Sequence, residues 1–204
     1  MIEIALATNN AHKIKEVQQI AALFGGEEVL RWHLPRDLGL MFEAAETALT
    51  YRDNALQKAL ALREALQRGI WVLADDSGLE VDALGGRPGI HSARYHQQAP
   101  NGDGCAALLE ALAAVPPTQR KARFRCVLVL VSPEENIFVF EGTCSGYIAT
   151  EKRGLLGFGF DPVFIPDGER RTFAEMLPEE KHALSHRGLA MQALLLWLRS
   201  QTGR

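Results

Sequence analysis

The chain has 204 residues, of which 47% are hydrophobic and 23% charged, with a formal net charge of −3. This balance excludes a disordered chain and supports a sizeable core, while the weakly acidic charge excludes a global basic field for nucleic acid. No run of eighteen apolar residues or basic, apolar leader is present, and Cys105, Cys126 and Cys144 show neither CxxC nor zinc spacing. The expectation is one cytoplasmic domain over residues 1–204, with mostly buried free thiols and no membrane or nucleic-acid partner.

"IEIALA" predicts a short buried strand. "AHKIKEVQQIAALFGG" predicts a helix with Ile14, Val17, Ala21 and Phe24 on one face, capped by Asn9 or Asn10 and ended by Gly25. After the strand candidate "EVLRWHL", "ETALTYRDNALQKALALREALQRG" predicts a long helix from near Glu46 to Gly69. "IWVLA" predicts a buried strand, and the Gly, Pro and polar residues of 77–101 predict a long ordered loop. "GCAALLEALAAV" predicts a helix stopped by Pro116 and Pro117. "KARFRCVLVLV" and "IFVFEGTCSGYI" flank "SPEEN" as an antiparallel hairpin. "GLLGFGFDPVFI" is a glycine and aromatic turn leading into a further strand. "TFAE" has the form of a capping box, and "SHRGLAMQALLLWLRS" predicts a last helix capped by Ser185. The sum is α/β with a mixed sheet.

Asp75 and Asp76 stand where the strand is expected to end. Neighbours on a strand point to opposite faces, so a central strand cannot turn both harmlessly to water. Either they lie just past the strand, with Asp75 or Ser77 capping a turn, or they serve metal binding and water activation at a strand's carboxyl end. Gly78 and "GGRPG" fit plain loop geometry or close approach of a ligand to backbone. "ATNNAHK" joins a strand to a helix N-terminus, a setting suited to phosphate, with Lys13 adding a full charge; a capped surface helix reads equally well. Glu46, Thr50, Asn54 and Lys58 recur every four residues as a helical stripe, a solvated face unless Glu46 reaches Asp76 to make a hard oxygen site for Mg2+. Phe158 and Phe160 in "GFGFDP" either stack on a planar base or form the core of a turn that Asp161 begins. Ser185 as a cap puts His186 and Arg187 in a first helical turn, against the helix dipole. With Lys181 they are donors able to read carbonyl oxygens of a base, or a basic patch.

Together, "ATNNAHK", "ETALTYRDNALQKA", "ADDSGLEVDALGGRPGIHSARY", "GFGFDP" and "SHRG" resemble, in this order from Ala7 to the last helix, the inosine triphosphate pyrophosphatase family, with the bacterial dITP/XTP pyrophosphatases nearest. The resemblance implies an α/β fold with an elongated mixed β-sheet flanked by helices, two lobes with a central cleft, and a homodimer. It also implies Mg2+-dependent hydrolysis of non-standard purine triphosphates (ITP, dITP, XTP) to monophosphate and pyrophosphate. By matched position, Thr8, Asn9, Asn10, Ala11, His12 and Lys13 would hold phosphate, Lys58 would meet it, and Ser77 would touch substrate. Glu46 and Asp76 would bind Mg2+, with Asp76 also accepting the proton of the attacking water and Asp75 assisting. Phe158, Gly159, Phe160 and Asp161 would hold the base, while Lys181, His186 and Arg187 would read its 6-keto edge and exclude adenine. The sequence departs from the family in Leu155 and Leu156, where small residues are frequent, and in Phe160, where tyrosine is common. Rival readings are a Maf-type house-cleaning pyrophosphatase, whose N-terminal phosphate motif differs, and a non-catalytic nucleotide-binding regulator, which would gain little from carboxylates near phosphate.

Overall fold

A computed structural model of the chain describes residues 1–66 and 69–202. The strands are β1 (Ile2–Leu6), β2 (Leu30–His33), β3 (Trp71–Val81), β4 (Lys121–Val131), β5 (Ile137–Ile148) and β6 (Phe164–Pro166). The α-helices among the described residues are α1 (Ala11–Leu23), α2 (Tyr51–Ala65), α3 (Ser92–Gln98), α4 (Gly104–Ala111), α5 (Pro178–Leu184) and α6 (His186–Thr202). The strands form one sheet in the order β2-β1-β3-β4-β5-β6. β1 runs parallel to β2 and β3, with α1 and α2 lying in the long connections that parallel neighbours require, and β5 is antiparallel to β6. The sheet is therefore mixed, as expected.

Several elements match the sequence reading closely. β4 and β5 coincide with the two predicted hairpin strands, and buried Ser132 organises the turn between them, its hydroxyl oxygen accepting from Glu134 N (3.2 Å) and Asn136 N (3.1 Å). Asn10 caps α1, and Gly25, at φ 70°, follows its end in the left-handed conformation that glycine adopts without strain. Cys105, Cys126 and Cys144 are buried free thiols whose pKa burial pushes up to about 12. No helix among the described residues is long and apolar enough to cross a membrane.

Other elements differ, each for a local physical reason. α2 starts at Tyr51 because the Thr50 hydroxyl accepts from Asp53 N at 3.1 Å and so caps the helix there. Glu46 and Thr50 are consequently not part of a helical stripe. α2 ends at Ala65, and the expected continuation through Gln67 and Arg68 lies outside the described residues. β3 does not stop at "IWVLA" but continues through Asp75, Asp76, Ser77 and Gly78 to Val81. The region expected to be one loop thus contains the end of β3 and the helix α3. Ser92 ties them together: its hydroxyl accepts from Leu79 N (2.9 Å) and donates to the Gly89 carbonyl (2.7 Å). A Cβ on Gly78 would stand 2.2 Å from that carbonyl oxygen, so the close approach requires glycine. α5 was not expected; Pro178 opens it, and the Glu180 carboxylate accepts from Leu177 N at 2.8 Å.

The chain divides into two compact units, matching the two lobes expected. Unit 1 comprises Met1–Asp76, Cys126–Gly142 and Arg187–Arg204, and unit 2 comprises Ser77–Arg125 and Thr143–His186. In unit 1, Leu73, Leu128 and Leu130 of the sheet pack with Val17 and Ile20 of α1 and Met191 and Leu194 of α6. In unit 2, Leu79 and Phe124 pack with Leu108 of α4 and with Phe164 and Phe173. Buried Arg120 holds unit 2 through backbone carbonyls: it donates to Val115 O (2.9 Å), Leu112 O (2.8 Å) and Ala149 O (3.1 Å). Arg120→Met removes all three donors and is expected to lower unfolding free energy by about 2–4 kcal/mol, read as a reduced urea midpoint.

Candidate active site

Asp75 and Asp76 are both buried in unit 1, at 4% and 3% exposure, and strand alternation sends them to opposite faces of β3. Asp75 shares its face with Leu73, on the side where α1 and α6 pack. There Lys13 Nζ lies 3.1 Å from Asp75 Oδ1, and Arg187 Nη2 and Nε lie 3.0 and 3.3 Å from Oδ2. Arg187 Nη1 donates at 2.5 Å to Glu16 Oε2 of α1. Two cations and two anions thus form a balanced buried group. Burial alone would raise the Asp75 pKa, but Lys13, Arg187 and Lys58 outweigh it and hold the carboxyl well below the usual range.

Asp76 turns to α2. Asn54 Nδ2 donates to its Oδ2 at 3.2 Å, and Lys58 Nζ lies 3.1 Å from its Oδ1. The same ammonium donates to Glu46 Oε1 at 2.8 Å. Burial, with the negative charges of Glu46 and Asp75, raises the Asp76 pKa against the opposing pull of Lys58 and Lys13. Burial would raise that of Glu46 too, but there Lys58 and Lys13 prevail and lower it. Lys58 is pulled down by burial, yet Asp76, Asp75 and Glu46 raise its pKa, so it stays charged. Glu46 reaches this cluster from a segment without regular secondary structure, whose Ala48 N–H donates to Asn54 Oδ1 at 2.9 Å.

This donor set fits Mg2+. Two carboxylates, Glu46 and Asp76, already converge on one cationic centre, and Mg2+ commonly takes one or two carboxylates from a protein, completing its shell with water and substrate phosphate. Among the described residues there is no group of three or more His, Cys, Asp or Glu side chains placed to hold a metal ion by themselves.

At the start of α1, Thr8 is half-buried while Asn9, Asn10, Ala11 and His12 are exposed. Asn10 Oδ1 accepts from His12 N (3.0 Å) and Lys13 N (3.2 Å), so two of the N–H groups expected to face phosphate are occupied by the cap. Thr8 Oγ1 accepts from Asn10 N at 3.1 Å, and Asn9 Nδ2 donates to Phe42 O. Thr8, Asn9 and Ala11 line a cavity of about 260 Å³ together with Lys15 and Arg36.

In unit 2, Phe158 is half-buried and Gly159 exposed, but Phe160 is 3% exposed, packed on Tyr95 and His96, with ring centroids 5.9 and 4.2 Å apart. The Phe160 ring is thus part of the core beneath the turn. Asp161 likewise turns inward: its Oδ2 accepts from Phe158 N at 2.8 Å and from Lys181 Nζ at 2.5 Å. Lys181, 4% exposed, lies 5.4 Å from the Phe158 ring centroid and 5.5 Å from that of Phe173. His186 stacks on Phe124 at 4.6 Å and 10°. Ser77, the first residue of unit 2, is half-buried on β3.

Arg187, expected beside His186 as a reader of the base, is 1% exposed, with its guanidinium engaged by Asp75 and Glu16 in unit 1. Glu16 and Asn54 were missed as site residues. The available signal for Glu16 was its position four residues before Ile20 on the buried side of α1; Asn54 was seen only as part of a stripe.

A model of the Ham1 family matches residues 4–197. A dITP/XTP pyrophosphatase of Geobacillus kaustophilus is 47% identical over 195 residues, covering 95% of this chain and 93% of that protein. A second protein of that name, from Methylococcus capsulatus, is 44% identical over 98% of each chain. The solved structure of a HAM1 protein from Coxiella burnetii has 36% identity and a TM-score of 0.83, covering 98% of this chain and 100% of its own. With agreement in sequence and fold along nearly its whole length, the chain belongs to the Ham1 family.

Proposed function

We propose that this chain hydrolyses non-canonical purine nucleoside triphosphates (ITP, dITP and XTP) to the monophosphate and pyrophosphate, cleansing the nucleotide pool. The observation that carries this reading is the Glu46–Lys58–Asp76 cluster, where a buried carboxylate of raised pKa shares an ammonium with a second carboxylate. The relatives named dITP/XTP pyrophosphatase support the substrate class. Membership of the Ham1 family sets aside the Maf-type alternative.

In the proposed reaction, a water oxygen bonds to the α-phosphorus and the bond from that phosphorus to the bridging oxygen breaks. Pyrophosphate leaves with the electron pair, and the Asp76 carboxylate takes the water's proton. Burial raises the Asp76 pKa in the metal-free site, against the pull of Lys58 and Lys13. Lys13 and Lys58 offset phosphate charge, and Asn54 orients Asp76. Asp75 holds Lys13 in place and stays ionised among its cations. Held by Glu46 and Asp76, Mg2+ would supply further charge neutralisation of the triphosphate. The exposed Asn9, Asn10 and His12 add donors at the start of α1. Phe158 stacks on the base, while Lys181 and His186 donate toward a 6-keto oxygen, which leaves an adenine amino group facing donors. The protein acts in the cytoplasm as a homodimer.

Incubation with ITP, XTP, GTP, ATP and dTTP plus Mg2+ is expected to give monophosphate and pyrophosphate from ITP and XTP and little from ATP; orthophosphate as the product overturns the proposed bond cleavage. Chelation of Mg2+ is expected to stop turnover and its return to restore it. Asp76→Asn should reduce kcat by about 10²-fold or more while nucleotide binding persists, as for loss of a general base. Asp75→Ala, by contrast, breaks a buried charge group and should lower unfolding free energy by about 3–5 kcal/mol, measured by urea denaturation.

A further inference from the structure

We propose that His96 is a positioning residue for substrate binding: through the ring of Phe160 it sets the loop of residues 157–161 that presents Phe158. The inference rests on the base-stacking role proposed above for Phe158 and adds a residue outside the site already described.

The loop has two supports, both within unit 2. One comes from its own end: Asp161 folds back beneath it, with Oδ2 accepting from Phe158 N and Lys181 Nζ. The fit is close enough that a Cβ on Gly157, at φ 73°, would stand 1.9 Å from that oxygen. The other comes from α3 and α4. The His96 ring centroid lies 4.2 Å from that of Phe160, inclined at 45°. Behind the imidazole is Gly104, the first residue of α4, where a Cβ would come within 2.5 Å of His96 Nδ1. The adjacent Cys105 thiol donates to Gly159 O at 3.2 Å. His96 is therefore a flat wedge between the start of α4 and Phe160, and only a glycine at 104 leaves room for it.

The chemistry of the wedge is unusual for a purely structural contact. His96 Nε2 is buried without a hydrogen-bond partner, a costly choice where an apolar ring would serve stability better. It faces the loop, 3.8 Å from the place a Cβ on Gly159 would take. Burial, opposed by the charge of Asp103, keeps the ring's pKa below its ordinary value, so at neutral pH the wedge is uncharged. Removing it opens space beneath Phe160, and Phe158 lies only two residues away along a loop with glycines at 157 and 159. An effect of this kind weakens binding of the base without touching the reacting phosphate.

The test compares wild type, His96→Ala and His96→Phe by steady-state kinetics on ITP and by calorimetric binding of inosine monophosphate. We expect His96→Ala to raise KM about tenfold with kcat within about twofold, and to weaken monophosphate binding by a similar factor. His96→Phe, which refills the space with a planar ring, is expected to bring both within about threefold of wild type. If His96→Ala does not fold, His96→Leu, which keeps bulk but not planarity, takes its place with the same expectations. Unchanged KM and binding, a loss confined to kcat, or a phenylalanine variant no better than alanine overturns the proposal. A wild-type protein inert toward ITP overturns the activity instead, and the binding comparison still judges His96.

Discussion

Burying one carboxylate costs several kcal/mol unless cations meet it, and unit 1 buries two in succession, Asp75 and Asp76, on β3. Because a strand alternates its side chains, one cation cannot serve both from one side, and each face of the strand needs its own. α1 and α6 answer Asp75 with Lys13 and Arg187, and α2 answers Asp76 with Lys58. The placement of three helices is tied to this requirement, and that of α1 and α6 also to the apolar core that these two share. The same constraint separates the chemistry of the two acids. Asp75, clamped by two cations, is held as an anion; Asp76, sharing one lysine with Glu46, has its pKa raised by burial.

Unit 2 is built on other principles. Near the GFGFDP loop a buried ion pair joins Asp161 and Lys181, and aromatic rings surround this region: Phe158 and Phe173 about Lys181, Phe124 against His186, Phe160 against His96. Such surroundings suit the recognition of a flat heterocycle, where shape and a few donors discriminate, whereas unit 1 has the charge density that a polyphosphate demands.

Local pattern made much of this readable. The β4 and β5 boundaries followed from apolar runs around a polar turn, and Asn10 at the start of α1 from the chemistry of caps. Pattern failed where long-range pairing decided the outcome. The end of β3 was misplaced because two adjacent acids look like a boundary until Arg187, 112 positions later, is known to neutralise one of them. Glu16 escaped notice for the same reason, its partner lying 171 positions away. The four-residue recurrence from Glu46 to Lys58 is genuine, but Thr50 caps the helix midway, so two members stand on α2 and Glu46 reaches the cluster from outside it. Phe160 was an ambiguity that composition alone could not resolve, and burial decided it.

Asn54 carries a further consequence. Fully buried on α2, its amide uses both ends: the oxygen accepts from the Ala48 N–H, and the nitrogen donates to Asp76. An aspartate at this position would keep the first bond and turn the second into repulsion between neighbouring anions, driving one of them to take up a proton. Deamidation, a common form of protein ageing, would therefore place a second negative charge beside Asp76 in a site built to hold only as many anions as its cations meet.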